Sequence, residues 1–368
     1  MQQSHTDWSR TCLIHVVPVK AGNAGAIAIA KQLDGNGIWR LLLVLLTPNG
    51  EAIAGSDWLP IESPGNGAGL AITGNREALL YITDRESRST TPRFDVPRWF
   101  SVKWRGSKVN LREIGRWEDV NLGLQMIGTP TEDGTVWAGE HYPASLADHL
   151  DTRLVLARSR GQELPVPRLT KIEWKGCSAP IRYGDGFYLL TAARYERVEL
   201  WAVDRELNVK KVLDLETRKN KRITVGPAQM ARCGDSLIMV WGHYTSKVGA
   251  KKPRTWQGLL HAASFCPNTQ TTSEIVMLTP DTRVIAASLQ AHSLGESMVV
   301  TWESRPKRGG GGLRAVRISS VDEMPCEPVV LPQKDGPLFI LGETGLFLRS
   351  GRTPDASSWA LPGGELPS

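Results

Sequence analysis

Short apolar runs of four to eight residues, separated by turn-forming residues, follow one another along the whole chain. Examples are RLLLVLL, which begins at Arg40, and LIMVW, which begins at Leu237. Strict alternation of apolar and polar positions is weak, as is typical of strands that are covered on both faces. The 36 Gly and 23 Pro among the 368 residues are spread over the chain. The pattern predicts many short strands joined by turns, with one short helix near Ala144–Thr152.

One sequence unit recurs along the chain. A short apolar strand leads into a tight turn with Gly, Asp or Asn, and a second, strongly apolar strand follows. Third and fourth strand-like runs come next, such as VELWAVDRE and then KKVLDL. The aligned positions in the second strands fall at intervals of roughly 50 residues: Leu79, Val136, Phe187, Leu237, Met298 and Leu346.

Four strands in about 50 residues form the blade of a β-propeller, and the chain resembles this class over nearly its whole length without resembling a particular subfamily. The resemblance implies an all-β fold: a single β-propeller of about seven four-stranded blades, with six blades or a pair of β-sandwiches as alternatives. One domain would span 1–368, and N-terminal residues near 5–11 would supply the missing strand of the last blade, so that N- and C-terminal strands close the ring. The approximate blades are 12–61, 69–115, 122–171, 177–216, 226–279, 285–333 and 336–364.

Composition narrows the class of protein further. Hydrophobic residues make up 41% and charged residues 22%, which excludes global disorder. No apolar run is long enough to span a bilayer, and the N-terminus lacks the pattern of a secretory signal. The five cysteines are odd in number and form no CxxC pair, which favours reduced thiols and a cytoplasmic location without membrane contact.

Motifs of known catalytic families are nearly absent. Gly234-Asp235-Ser236-Leu237 matches the nucleophile block of a lipase-like hydrolase family, but the same turn recurs one blade earlier without the serine, so a structural turn is favoured. Large aromatics within predicted strands are more often inter-blade core than a binding site. They include Trp137, Trp201, Trp241 and Trp302.

A group of acidic and imidazole side chains in the third blade has no spacing that is diagnostic of a metal site, and a solvated segment is favoured. Its members are Glu140, His141, Asp148, His149 and Asp151. We therefore predict no metal, no cofactor and no catalytic residue.

Three basic clusters fall in segments that a propeller would bring to one face. Segments that join strands two and three, and those that join strand four to the next blade, emerge on the same side of a four-stranded blade. Such a face would speed up encounters with an acidic protein surface or a polyanion, although long solvated loops often carry the same charges. The clusters are Arg218, Lys219, Lys221 and Arg222; Lys247, Lys251, Lys252 and Arg254; and Arg305, Lys307, Arg308 and Arg314.

The second strands of three consecutive blades end in a polar–aromatic pair that would lie at this same face. Tyr and Arg are favoured in binding surfaces, although tyrosines at strand ends also cover the rim of a blade. The pairs are His141 and Tyr142, Arg194 and Tyr195, and His243 and Tyr244.

These features lead to a functional hypothesis with two alternatives. We predict a non-catalytic protein–protein interaction scaffold that presents a basic loop face to an acidic protein partner in a larger assembly. Binding of nucleic acid or another polyanion is one alternative. An enzyme or small-ligand binder that uses the central channel is the other, and the missing catalytic motifs argue against enzymatic activity.

Overall fold

The computed structural model describes residues 11–21, 24–33, 39–47, 52–61, 64–88, 91–106, 108–142, 152–173, 178–193, 196–217, 223–245, 257–278, 289–294, 296–304, 312–319, 329–331, 338–341, 346–349 and 356–358. The regular elements in these ranges are all β-strands. None of the described segments forms a helix long and apolar enough to cross a membrane. The helix expected near Ala144–Thr152 falls, except for its last residue, outside the described residues.

The strands form two compact units, of which the first comprises residues 1–171 and 335–359. It contains three four-stranded antiparallel sheets, here called the first to third sheets, and a three-stranded one, the seventh. The first sheet is β1 (Thr11–Ala21), β2 (Ala24–Leu33), β3 (Trp39–Leu46) and β4 (Ala52–Gly55). The second is β5 (Pro64–Gly74), β6 (Glu77–Arg88), β7 (Thr91–Arg105) and β8 (Lys108–Arg116). The third is β9 (Leu122–Thr131), β10 (Gly134–His141), β11 (Arg153–Ser159) and β12 (Val166–Glu173), whose end passes into the second unit.

The second unit comprises residues 172–334 and 360–368 and contains the fourth, fifth and sixth sheets. The fourth is β13 (Ile181–Tyr183), β14 (Gly186–Ala193), β15 (Arg197–Val203) and β16 (Val209–Thr217). The fifth is β17 (Ile223–Cys233), β18 (Ser236–Thr245), β19 (Gln257–Cys266), β20 (Thr271–Thr272) and β21 (Val276–Met277). The sixth is β22 (Gln290–Leu294), β23 (Ser297–Ser304), β24 (Gly312–Ile318) and β25 (Val329–Leu331). The seventh sheet, in the first unit, is β26 (Leu338–Leu341), β27 (Leu346–Arg349) and β28 (Ala356–Ser358).

This succession of antiparallel sheets, each paired in chain order, is the arrangement of a β-propeller, and the predicted all-β class is confirmed. Six sheets have a complete path of four strands, which matches the alternative count of six blades; the remaining sheet has three described strands. Of the N-terminal residues expected to close the ring, 5–10 lie outside the described residues, and Thr11 begins β1 of the first sheet.

The apolar runs without alternation are strands buried on both faces. In β2, Ile27 and Ile29 pack into a core with residues of the second sheet, whereas Ala26, Ala28 and Ala30 point to the opposite face and are equally buried. The predicted second strands are also confirmed, because each of the six aligned positions lies in the second strand of its sheet.

The Gly234–Leu237 motif is a hairpin turn, as expected. Cys233 pairs with Ser236, so that Gly234 and Asp235 form the two-residue connection between β17 and β18. Gly234 has a φ of 56°, a left-handed conformation that glycine adopts without a steric penalty. Ser236 begins β18, at the end of that strand opposite to His243.

Candidate active site

The second and third strands of the fifth sheet present one apolar face to the fourth sheet. Leu237, Met239 and Trp241 alternate along β18 and share a buried core with Leu190 and Leu200 of the fourth sheet. Trp241 is fully buried in this core. Because side chains two apart on a strand point to the same face, the residue two positions beyond Trp241 continues this face towards the end of the strand.

Two imidazoles lie on this face near the end of β18. His243 follows Trp241 by two residues on β18, and His261 of β19 is the direct cross-strand partner of Trp241. Directly paired residues of an antiparallel ladder have neighbouring side chains on one face. The two imidazole centroids are 5.0 Å apart, and the His261 ring stands edge-on to the Trp241 indole at 6.0 Å.

The fourth sheet supplies a carboxylate to the same place. Glu216 is the penultimate residue of β16 and pairs with Val198 of β15. Leu213 and Leu215 of β16 pack against the core that contains Trp241. Glu216 therefore reaches the imidazoles across the contact between two sheets. We call Glu216, Trp241, His243 and His261 the Glu216 cluster.

Both carboxylate oxygens of Glu216 accept hydrogen bonds within the cluster. Oε1 accepts from Nδ1 of His243 at 2.5 Å, and Oε2 accepts from Nδ1 of His261 at 3.2 Å. The indole Nε1–H of Trp241 also donates to Oε2. An ionised carboxylate only accepts hydrogen bonds, so the Nδ1 atoms of neutral rings carry the protons and their Nε2 atoms keep a lone pair.

These hydrogen bonds keep Glu216 ionised. Burial on its own would raise the pKa of Glu216, because a carboxylate is poorly solvated inside a protein. The hydrogen bonds from His261, Trp241 and His243 outweigh that effect and lower the pKa to about 2. Glu216 is therefore a carboxylate throughout the physiological range of pH.

The cluster is only partly covered. The side chains of Glu216, His243 and His261 retain 16%, 20% and 19% of their full solvent exposure, so all three contact solvent. Such a group of side chains offers two kinds of chemistry: an oriented imidazole accepts a proton from water, or the three side chains together coordinate a metal ion.

The structure tests few of the basic residues predicted from sequence. Arg218, Lys219, Lys221, Arg222, Lys247, Lys251, Lys252, Arg254, Arg305, Lys307 and Arg308 lie outside the described residues. Arg314 was expected in a connecting segment, but it lies within β24, where it pairs with Trp302 and Val330. An acidic or polyanionic partner for the basic segments thus stays a prediction.

The predicted polar–aromatic pairs have different outcomes. His243 belongs to the Glu216 cluster, whereas only the backbone of Tyr244 is described. His141 ends β10, and Tyr142, the next residue, donates its backbone N–H to the carbonyl of Asn121. The other pair, Arg194 and Tyr195, lies outside the described residues.

The acidic and imidazole group of the third blade was expected in a solvated segment. Glu140 is instead a buried residue of β10, and His141 is half-buried at the end of that strand. Asp148, His149 and Asp151 lie outside the described residues.

The sequence interpretation missed Glu216 and His261. His261 lies between Leu and Ala residues in the third-strand run WQGLLHAASF, and Glu216 lies near the end of a fourth strand. A histidine within an apolar strand is the signal that was available, because burying it requires a hydrogen-bonding partner.

Comparison with known proteins finds solved structures with a similar fold but does not identify a family. No protein-family model matches the chain, and no curated protein matches it. The β-propeller domain of the Trilobed protease from Pyrococcus furiosus has a TM-score of 0.50 at 9% identity, over 93% of this chain and 90% of that one. A prolyl endopeptidase has a TM-score of 0.52 at 9% identity, over 93% of this chain and 46% of that one. The GH32 β-fructofuranosidase BmSUC1 of Bombyx mori has a TM-score of 0.39 at 11% identity, over 70% of this chain and 61% of that one.

At such identities the likeness establishes the fold alone, and the chain spans less than two thirds of the fructofuranosidase and of the endopeptidase. The prediction of a non-catalytic scaffold is nevertheless wrong. The similar structures with TM-scores of 0.50 and 0.52 are the propeller domain of a protease and a prolyl endopeptidase. That prediction also relied on missing catalytic motifs, whereas the Glu216 cluster assembles catalytic-type side chains from three strands that no linear motif connects.

Proposed function

We propose that this protein is a hydrolytic enzyme that activates a water molecule at the Glu216 cluster. The proposal is carried by one observation: two imidazoles are hydrogen-bonded through Nδ1 to the two oxygens of a single ionised carboxylate. A cytoplasmic location, expected from the cysteine content, is part of the same proposal.

The surroundings of the carboxylate support a catalytic role. The buried Trp241 indole fixes Oε2 of Glu216, and the antiparallel pairing of β18 with β19 fixes the two rings relative to each other. Groups held in this way lose little orientational freedom when they act on a substrate. Partial exposure gives water and substrate access to the imidazoles.

The proposed site differs in position from the enzyme alternative considered from the sequence. That alternative placed the site in the central channel, which the sheets of a propeller surround. The Glu216 cluster is built instead from the fourth strand of one sheet and the second and third strands of the next. We therefore expect substrate to bind where the fourth and fifth sheets meet.

The proposal is tested by a hydrolysis screen with a panel of chromogenic esters, phosphate esters, glycosides and peptides. Glu216→Gln, His243→Ala and His261→Ala are each expected to reduce kcat/KM by about 100-fold or more, because a positioned acid or base contributes roughly that much. Circular dichroism and tryptophan fluorescence establish that each variant is folded.

Two matched variants serve as controls. Asp185→Asn removes a carboxylate that is 86% exposed in the turn between β13 and β14, and Ser236→Ala removes the serine of the Gly234–Leu237 turn. Both should retain wild-type activity. Loss of activity in Ser236→Ala with full activity in His243→Ala would place catalysis at the turn and contradict the proposal.

A further inference from the structure

We propose that Glu216, His243 and His261 bind one divalent metal ion of the zinc class, with an open coordination position towards solvent. The inference deepens the proposed function and rests on it for the role of the ion, which would activate the water molecule.

The first argument is convergence. One ligand atom from each of the three side chains lies within 4.8 Å of the others, and no other group of three His, Cys, Asp or Glu meets this criterion in the described part of the chain. Two ligands on a tetrahedral zinc ion are roughly 3.3 Å apart when each bond is about 2.0–2.1 Å long. Oε1 of Glu216 and Nδ1 of His243 are 2.5 Å apart, so an ion between them requires these two atoms to separate by about 1 Å.

The second argument is the chemistry of the donors. Two imidazoles and one carboxylate, with a fourth position for water, form a ligand set known from catalytic zinc sites. Imidazole suits zinc and its neighbours in the first transition row, whereas calcium and magnesium prefer oxygen donors alone. The cluster contains more nitrogen than oxygen donors, so it favours the first group of ions.

The third argument is the support around the ligands. Metal-binding side chains are usually oriented by hydrogen bonds from residues that do not touch the metal. Trp241 supplies such a bond, because its indole donates to Oε2 of Glu216 from a position in the closed core. Oε1 then remains the oxygen that is available to the ion.

The hydrogen-bonded arrangement represents the metal-free form of the same site. When an ion binds, it takes the Nδ1 lone pairs of His243 and His261, and each neutral ring carries its proton on Nε2 instead. The carboxylate loses the hydrogen bonds from both rings and gains a bond to the metal. The net charge of the three side chains remains −1, so a divalent ion gains electrostatic stabilisation.

The experiment uses the full-length protein after dialysis against a chelator. Titration with Co²⁺ should produce the visible absorption of a tetrahedral site at one equivalent, and Zn²⁺ should displace it, with affinities measured by calorimetry. Glu216→Gln, His243→Ala and His261→Ala should each weaken binding by more than about 100-fold, since loss of an outer hydrogen bond alone costs roughly 10- to 100-fold.

The matched control is His141→Ala, which removes the histidine at the corresponding end of β10 in the third sheet. It should bind Co²⁺ with unchanged stoichiometry and spectrum. The proposal is overturned if folded wild-type protein binds no stoichiometric ion, or if the three cluster variants bind as wild type does. Selective loss of binding in His141→Ala would assign the ion to the third sheet. His243→Asn serves as the second variant if His243→Ala does not fold.

Failure of this inference and failure of the proposed function are distinguishable. Metal binding without hydrolysis of any substrate class leaves the metal site standing and removes the enzymatic role. Hydrolysis by chelator-treated protein that still depends on His243 and Glu216 keeps the enzyme and removes the metal.

Discussion

Trp241 combines two roles that are usually divided between different residues. Its ring lies in the closed core between the fourth and fifth sheets, while its Nε1–H donates to Oε2 of Glu216. The same side chain therefore contributes apolar burial and holds the carboxylate of Glu216 beside the two imidazoles. A hydrogen bond to a charged group contributes about 1.5–3 kcal/mol.

Trp241→Phe separates these two roles, because it retains most of the apolar volume and removes the donor. We expect a loss of unfolding free energy of about 1–3 kcal/mol and a 10- to 100-fold weaker metal affinity. Denaturant unfolding and Co²⁺ titration measure the two effects. Unchanged metal affinity in a folded Trp241→Phe variant would show that the indole does not orient Glu216.

A second histidine, His292 of β22, provides a prediction about pH. Its Nε2 atom is buried and makes no hydrogen bond in the structure as described, and burial lowers the pKa of His292 to about 4. Because the unfolded chain binds a proton near pH 6.5, protonation favours unfolding. The contribution of His292 to the free energy of unfolding is fully present above pH 6.5 and is lost as the pH falls towards 4.

We expect His292 to make the free energy of unfolding fall by up to about 3 kcal/mol between pH 7 and pH 4. Urea unfolding of wild type and His292→Gln at several pH values gives the free energy of unfolding as a function of pH. The difference between the two pH dependences is the contribution of His292. Parallel pH profiles for the two proteins would mean that His292 titrates equally in the folded and unfolded states.

At the scale of the element, hairpin turns fix the register of each sheet. Gly134 begins β10 with a φ of 139°, and a Cβ atom there would lie 1.9 Å from the carbonyl oxygen of Ser159 on β11. Gly234 also has a positive φ, but a Cβ atom there would meet no atom within 4 Å. The two turns therefore differ in steric cost although both contain glycine.

We expect Gly134→Ala to destabilise the protein by more than about 3 kcal/mol, because the backbone of β10 or β11 must move. Gly234→Ala should cost about 1 kcal/mol, the ordinary penalty for a left-handed residue. Thermal and urea unfolding rank the two variants. Equal losses would show that conformation, rather than contact with Ser159, determines the effect at Gly134.

The strands were predictable from the sequence because each depends on local information. Turn residues such as Gly184 and Gly234 mark the hairpins, and the apolar runs after them are long enough only for strands. Blade number was less certain because it depends on the ends of the chain, where the repeat weakens.

The candidate site was predictable only in part. His243 stood out because it ends a second strand beside a tyrosine. The contact of His243 with Glu216 depends on which faces of the fourth and fifth sheets meet. Its proximity to His261 depends on the register of β18 with β19. Neither face nor register follows from the spacing of the residues, which are 27 positions apart for Glu216 and His243.

At the scale of the whole molecule, buried tryptophans lie where neighbouring sheets of the same unit pack together. Trp137 of the third sheet stands edge-on to Trp99 of the second at 5.0 Å, and Tyr81 joins the same core. The interpretation of strand tryptophans as core is confirmed for Trp137, Trp241 and Trp302, all of which are fully buried, whereas Trp201 is only half-buried.

Trp137→Ala should therefore lower the free energy of unfolding by about 3–5 kcal/mol through loss of this core. Trp58→Ala, at a position that is 44% exposed, should cost about 1 kcal/mol or less. Urea unfolding compares the two. Similar losses at both positions would mean that the second and third sheets do not depend on Trp137 for their packing.

The Glu216 cluster is shared by two neighbouring sheets. It therefore depends on the order of the blades. Blades can be duplicated, deleted or circularly permuted in evolution or by protein engineering, and each keeps its own ladder of backbone hydrogen bonds. An extra blade inserted after the fourth would preserve every strand, yet it would separate the Glu216 carboxylate from the two imidazoles. The fourth and fifth blades must therefore stay neighbours, whereas the backbone pairing of each blade does not depend on its position in the chain.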